Sequence, residues 1–144
     1  MSSAMDEYLL LLEIGPAVMK SVPVFAIDLN DPNMKIVWGS TLFNEMFGYE
    51  AGELNGQSLD TLLKVQDREP HHRFFAEYSK APNIRTMNAG VWVDGVKKDG
   101  SIIKIQVSLY PRAVGRRDMV IAHVADVTKA FAHISAVRPL EEGH

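Results

Sequence analysis

The chain has 144 residues, enough for one domain with a single adequate core, and 47% of them are hydrophobic, so neither a disordered nor a low-complexity class applies. A formal net charge of −3 leaves no electrostatic footprint for nucleic acid, and no apolar run approaches bilayer-spanning length, so neither nucleic acid nor membrane is an expected partner. Cysteine is absent, which removes disulfides, thiolate chemistry and cysteine-ligated metals; with no secretory signal, the expected location is the cytoplasm.

Residues 1–21 read as a flanking helix and turn. Ser3 with Asp6 three positions on resembles a capping box, with Asp in place of Glu, and predicts a helix over 3–14. Tyr8, Leu9, Leu10, Leu11 and Leu12 are consecutive, and a helix of about three turns cannot hide all of them on one face. They meet the domain's own sheet, a second subunit, or both. Gly15-Pro16 stops this helix, and Pro16 opens a short turn. Residues 23–29 form a first strand in which Phe25, Ile27 and Leu29 alternate with other residues. A polar turn follows, and Lys35-Ile36-Val37-Trp38 returns as a hairpin partner.

Gly39 and Ser40 break that strand, and Ser40 or Thr41 caps a helix whose apolar positions are Leu42, Phe43, Met46 and Phe47. Gly48 ends it, as a left-handed terminus requires. A short helix over 58–64 turns Leu59, Leu62 and Leu63 inward. Asp67 caps a helix over 68–80 with Pro70 in its first turn, and His71, Phe74, Phe75 and Tyr78 share one face. Residues 84–96 and 101–110 form a long hairpin about Asp99-Gly100. Ile103, Ile105, Val107 and Leu109 line one face; Met87, Ala89, Val91 and Val93 line the matching face of the partner. Residues 111–118 are a turn, in which Arg112, Arg116 and Arg117 are solvated, and 119–127 are the last strand. The expected fold class is α+β: a five-stranded antiparallel sheet with short helices on one face, over residues 22–128 and followed by a tail at 129–144.

The stretch 36–56 carries a specific likeness. Phe43, Met46, Phe47, Gly48, Tyr49, Glu53, Leu54 and Gly56 resemble the signature of PAS sensor domains. Lys97-Lys98-Asp99-Gly100-Ser101 resembles the family's hairpin turn, and Asp126-Val127-Thr128 the close of its last strand. One departure is Ser40, where the family most often has Asn; a serine hydroxyl makes a weaker version of the same backbone tie. The resemblance implies a PAS fold and a role in bacterial-type signal transduction or transcription regulation. It also implies a homodimer through the N-terminal helix and the sheet, and an effector domain or partner protein that reads the signal. Signalling would then be a population shift between arrangements of the helix and sheet.

The candidate chemistry centres on His71. In the haem-binding oxygen sensors of this family an equivalent helix supplies a His ligand to the iron, so the resemblance offers His71 for that role. Those sensors also use an Arg near the position of Val91, which here is apolar. The alternative is a partly exposed residue of the first helical turn with no ligand. The apolar residues Trp38, Phe75, Tyr78, Met87, Val91, Ile105 and Val107 form, with His71, either a small-molecule pocket or plain core. Flavin photochemistry through a cysteinyl adduct has no residue to use. Acid–base catalysis would draw on His71, Asp94, His123 and Asp126, but no nucleophile–base spacing, phosphate loop or metal pattern accompanies them. No enzyme and no protein-bound metal other than haem iron is therefore expected. His72 points away from the His71 face, and Asp126 reads as a structural acceptor at a strand end.

Overall fold

The computed structural model describes residues 22–86 and 92–129. The expected N-terminal helix, most of the tail, and Met87, Ala89 and Val91 lie outside the described residues. The sheet is built from β1 (Val24–Asp28), β2 (Ile36–Gly39), β3 (Arg85–Thr86), β4 (Val93–Val96), β5 (Ile102–Val114) and β6 (Arg117–Asp126). Its antiparallel order is β2-β1-β6-β5, and β3 and β4 share the remaining edge of β5 as the fifth position. Between β2 and β3 run α1 (Thr41–Met46), a 3-10 helix (Leu59–Leu62) and α2 (Val65–Lys80). This is the α+β arrangement that the sequence predicts, an antiparallel sheet of five strand positions with short helices.

The two-residue period of the strands sorts side chains onto two faces. Phe25, Ile27, Ile103, Ile105, Val107, Leu109, Val120, Ala122 and Val124 join the helix side in the main core. Val24, Ala26, Val114, Met119 and Ile121 form a second apolar cluster, packed by Val22, Val37 and Trp38. Trp38, expected among the pocket residues, belongs to this second cluster: it pairs with Ala26, whose side chain is also there.

Three boundaries differ from the sequence prediction. α2 starts at Val65, with an extended Lys64 before it and no side-chain cap. The Asp67 amide donates to the Lys64 carbonyl (2.9 Å), so Asp67 is inside the first turn, where a carboxylate suits the helix dipole. Pro70 consequently lies inside the helix rather than in its first turn, and removes one backbone bond there. Val65 is 74% exposed, so no burial pattern announces the true start. β5 continues through Pro111 to Val114, and the turn contracts to Gly115-Arg116. β3 engages β5 only at Leu109 and Ser108; beyond Leu109 one edge of β5 carries no strand among the described residues, which tolerates a residue lacking an N–H. Arg117, expected to be solvated, donates through Nε to Asp28 Oδ2 at 3.0 Å.

In α1 the inward positions are Phe43 and Asn44, while Leu42 is 37% exposed. Ser40 and Asn44 are fully buried polar side chains, and both are saturated. Ser40 Oγ accepts from the amides of Val24 (3.0 Å) and Phe43 (3.2 Å) and donates to the Val22 carbonyl (2.9 Å). Asn44 Nδ2 donates to the Ser40 carbonyl (3.0 Å), and its Oδ1 accepts the Leu54 amide (3.0 Å). Replacing Asn44 with alanine would strand the Leu54 N–H in an apolar setting, at about 1–3 kcal/mol for a buried unpaired donor. Urea denaturation should show Asn44→Ala losing at least about 2 kcal/mol, while Leu42→Ala on the same helix stays within roughly 1 kcal/mol. Equal losses at the two positions would refute the assignment of Asn44 as the inward anchor.

Candidate functional site

The inner face of the sheet does not meet the helices everywhere. Between them lies a cavity of about 530 Å³, within the range that small-molecule sites occupy. Phe25 and Ile27 of β1 line it, with Phe43 and Phe47 from the α1 segment and Leu59 and Leu62 from the 3-10 helix. Ile105, Val107 and Leu109 of β5 and Val120, Ala122 and Val124 of β6 complete the sheet wall, and α2 contributes His71 and Phe74.

The aromatic residues form a connected set. Phe25 and Phe43 have ring centroids 4.7 Å apart, and Phe43 meets Phe47 edge-on at 5.4 Å. Two glycines admit these rings: a Cβ on Gly39 would lie 2.5 Å from Phe43 Cδ2, and one on Gly95 would lie 2.8 Å from Phe47 Cε1. Along α2, His71 and Phe74 are 6.1 Å apart, and Phe74 stacks on Tyr78 at 5.8 Å. These are the contacts that an i, i+3, i+4, i+7 face provides.

Polar groups enter the lining at Lys64, Asp67, His71, Trp92, Asp94 and Lys104. Lys64 Nζ bonds Asp94 Oδ2 at 2.8 Å, and Lys104 Nζ bonds Asp94 Oδ1 at 2.6 Å. One carboxylate thus ties the start of α2 to β4 and β5. Desolvation works to raise the Asp94 pKa, but the bonds from Lys104 and Lys64 outweigh it and hold the carboxyl below its ordinary range. The bond to Asp94 raises the Lys64 ammonium correspondingly.

His71 is in the second turn of α2, not the first, and its Nδ1 is buried with no hydrogen-bond partner. Burial lowers its pKa below the usual imidazole value, against the pull of Asp60; its neighbour His72 pushes the same way as burial. The ring is therefore neutral at pH 7. His72 is on the outer side of the helix, where its Nε2 meets Asp60 Oδ1 at 2.8 Å.

Of the predicted pocket residues, His71, Ile105 and Val107 line the cavity. Phe75 and Tyr78 pack against the core without lining it, and the Tyr78 hydroxyl donates instead to the Asn83 carbonyl. Trp38 is in the other cluster, and Met87 and Val91 are outside the described residues. The four acid–base candidates do not converge: His71 and Asp94 line the cavity, but His123 and Asp126 do not. Asp126 Oδ1 accepts the Thr128 amide at 2.9 Å, the strand-end role that the sequence suggests. Sequence reading missed Phe25, Ile27, Phe43 and Phe47 as lining residues, and the Lys64–Asp94–Lys104 cluster. The alternation of Phe25 and Ile27, the same period that puts Ile105 and Val107 on the inner face, is the available signal for the first pair; nothing local links residues 64, 94 and 104.

Comparison with known proteins gives one consistent answer. A family model described as "PAS domain" matches residues 21–129. The fold is similar to that of a Rhodobacter sphaeroides LOV protein, at 14% identity and a TM-score of 0.64, covering 82% of this chain and 67% of that one. It is also similar to a PAS domain from a two-component sensor histidine kinase, at 17% identity and a TM-score of 0.59, covering 87% and 99%. A third likeness is to the PAS domain of the fruit-fly ELK potassium channel, at 16% identity and a TM-score of 0.60, covering 86% and 97%. No curated protein sequence gives a significant match. With the family model spanning most of its length, and the sheet order and helices just described, the chain belongs to the PAS domain family.

Proposed function

We propose that the chain is a signal-sensing and dimerisation module of a bacterial-type signal-transduction or transcription-regulatory protein, and that its cavity takes a small molecule. The observation that carries this reading is the cavity of about 530 Å³ between α2 and the sheet, lined mostly by apolar side chains and including His71, whose buried Nδ1 has no partner. A packed core has neither a void of that size nor an orphaned polar atom. Among the described residues, no nucleophile with an adjacent base lines the space, and the proposed role is that of a binding module. The setting is the cytoplasm. A ligand that prefers one arrangement of α2 and the sheet would shift the population presented to an effector domain or partner protein.

Native mass spectrometry after incubation with a small-molecule extract tests the reading. The parent is expected to retain an added mass, and Ala122→Phe, which fills the cavity from β6, to lose it. Val107→Phe, which fills it from β5, provides the second variant, and circular dichroism confirms that each is folded. Retention unchanged in both folded variants would remove the cavity as the binding site.

Dimerisation rests on a separate observation. The second sheet cluster of Val24, Ala26, Met119 and Ile121 is apolar and already covered within the single chain, at most 7% exposed, and the leucines at 9–12 exceed what one helix face would bury. The proposed homodimer uses the apolar side chains of the N-terminal segment that this cluster leaves over. The double variant Leu9→Asp/Leu12→Asp should shift the mass measured by sedimentation from dimer to monomer at micromolar concentration. A variant that dimerises like the parent would sink the proposal.

A second reading, a haem-based gas or redox sensor with His71 as iron ligand, is favoured by the unpartnered ring nitrogen alone. Haem would supply reversible gas binding or one-electron chemistry at the iron, and His71 would hold it. Titration with haemin should then give a sharp Soret band that His71→Ala abolishes. A flat visible spectrum would discard haem, and a flat spectrum of the purified protein would discard a retained flavin as well.

A further inference from the structure

The charged residues that line the cavity answer one another. Lys64 and Lys104 each hold one oxygen of Asp94, at 2.8 and 2.6 Å, and Asp67 adds its negative charge beside Lys64. Among the described residues two cations therefore face two anions, and their charges balance while His71 is neutral. An anionic ligand would draw a lysine from Asp94 and leave that carboxylate short of a partner in a site where its side chain is 18% exposed. A cationic ligand would meet both ammonium groups. An uncharged ligand disturbs none of this. The remaining walls are apolar and rich in rings, with Phe43, Phe47 and Phe74 among them, and these favour a flat, largely aromatic body. Among the described residues of the lining, one buried polar atom has no partner: His71 Nδ1, beside the ring of Phe74 and closed off from the cavity until the ring turns toward it. A buried polar atom in this state gains from any hydrogen bond a ligand brings.

We propose that the cavity selects an uncharged, predominantly aromatic small molecule that makes one hydrogen bond to His71 Nδ1. This inference rests on the ligand-binding reading above and adds the class of ligand. Two fluorescent probes of one skeleton separate the terms. N-phenyl-1-naphthylamine is neutral and offers an N–H; 8-anilino-1-naphthalenesulfonate carries the same rings and a sulfonate. Both brighten on leaving water, so each can be titrated against the full chain. The neutral probe should bind at least ten-fold more tightly than the sulfonate. His71→Leu should weaken the neutral probe by about ten-fold, or about 1.4 kcal/mol. Asp94→Asn removes the carboxylate shared by the two lysines, and should strengthen sulfonate binding and narrow the gap between the probes.

Equal or tighter binding of the sulfonate by the parent would overturn the selectivity while leaving the cavity as a binding site. Neutral binding lost in Ala122→Phe but unchanged in His71→Leu would overturn the anchor. If neither probe binds the parent, the inference fails; the extract experiment then decides whether the broader ligand-binding reading fails with it. Circular dichroism on each variant separates loss of binding from loss of fold.

Discussion

Two buried side chains, Ser40 and Asn44, hold the connection on which the cavity depends. Each is fully removed from solvent, and every bond it makes goes to backbone. Ser40 joins the entry to β1 with the first turn of α1; Asn44 joins α1 with the amide of Leu54. In an apolar interior these bonds have no aqueous substitute, so α1 has one satisfactory position. That position sets Phe43 against Phe25 and Phe47 against Gly95. One side of the cavity is thus fixed by a polar network that does not itself line it.

The opposite side is held differently. α2 has an apolar face but a poor start: no side-chain cap, an exposed Val65, and a proline inside the helix. The Lys64–Asp94–Lys104 cluster compensates by tying the residue before α2 to the sheet edge. Its groups are partly exposed, so each pair contributes little alone. The shared carboxylate matters more for geometry, because it fixes the distance between α2 and β4 without filling the space between them. A wall anchored at its rim by ions, with aromatic packing further along, leaves room that continuous hydrophobic packing would close.

The legibility of this arrangement in the sequence follows how far each contact reaches along the chain. Strand alternation over Ile103, Ile105, Val107 and Leu109, the Asp99-Gly100 turn, and Gly48 as helix stop are short-range signals, and the structure has them. His71 and Phe74 sharing a face is a helical consequence and also held. Hydrophobicity alone places Leu42 inward and gives no reason to bury Asn44, whereas Leu42 is 37% exposed and Asn44 fully buried. Asn44 is inside because two backbone groups require it there. Trp38 was misplaced by treating an aromatic residue as a pocket residue, although the register Ala26↔Trp38 puts it in the other cluster. The start of α2 was obscured because Asp67 and Pro70 both imitate first-turn residues. The ion cluster joins residues 30 and 10 positions apart, and no local pattern records such a meeting.

The single sheet layer places the cavity and the outer apolar cluster one residue apart. On β6, Val120 and Ala122 line the cavity, while Met119 and Ile121 belong to the outer cluster. On β1, Phe25 and Ile27 alternate in the same way with Val24 and Ala26. The pairs Phe25↔Ala122 and Ile27↔Val120 interleave with Ala26↔Ile121, so the two faces share one hydrogen-bonded ladder. A ligand that pressed on Ala122 or Phe25 would have to move backbone that also carries Ile121 and Ala26. Close-packed side chains yield little, and a strand displaces with its ladder rather than one residue at a time. The cavity wall and the second apolar cluster are thus the two faces of one ladder, and this gives a ligand in the cavity a direct mechanical route to whatever packs on the far face.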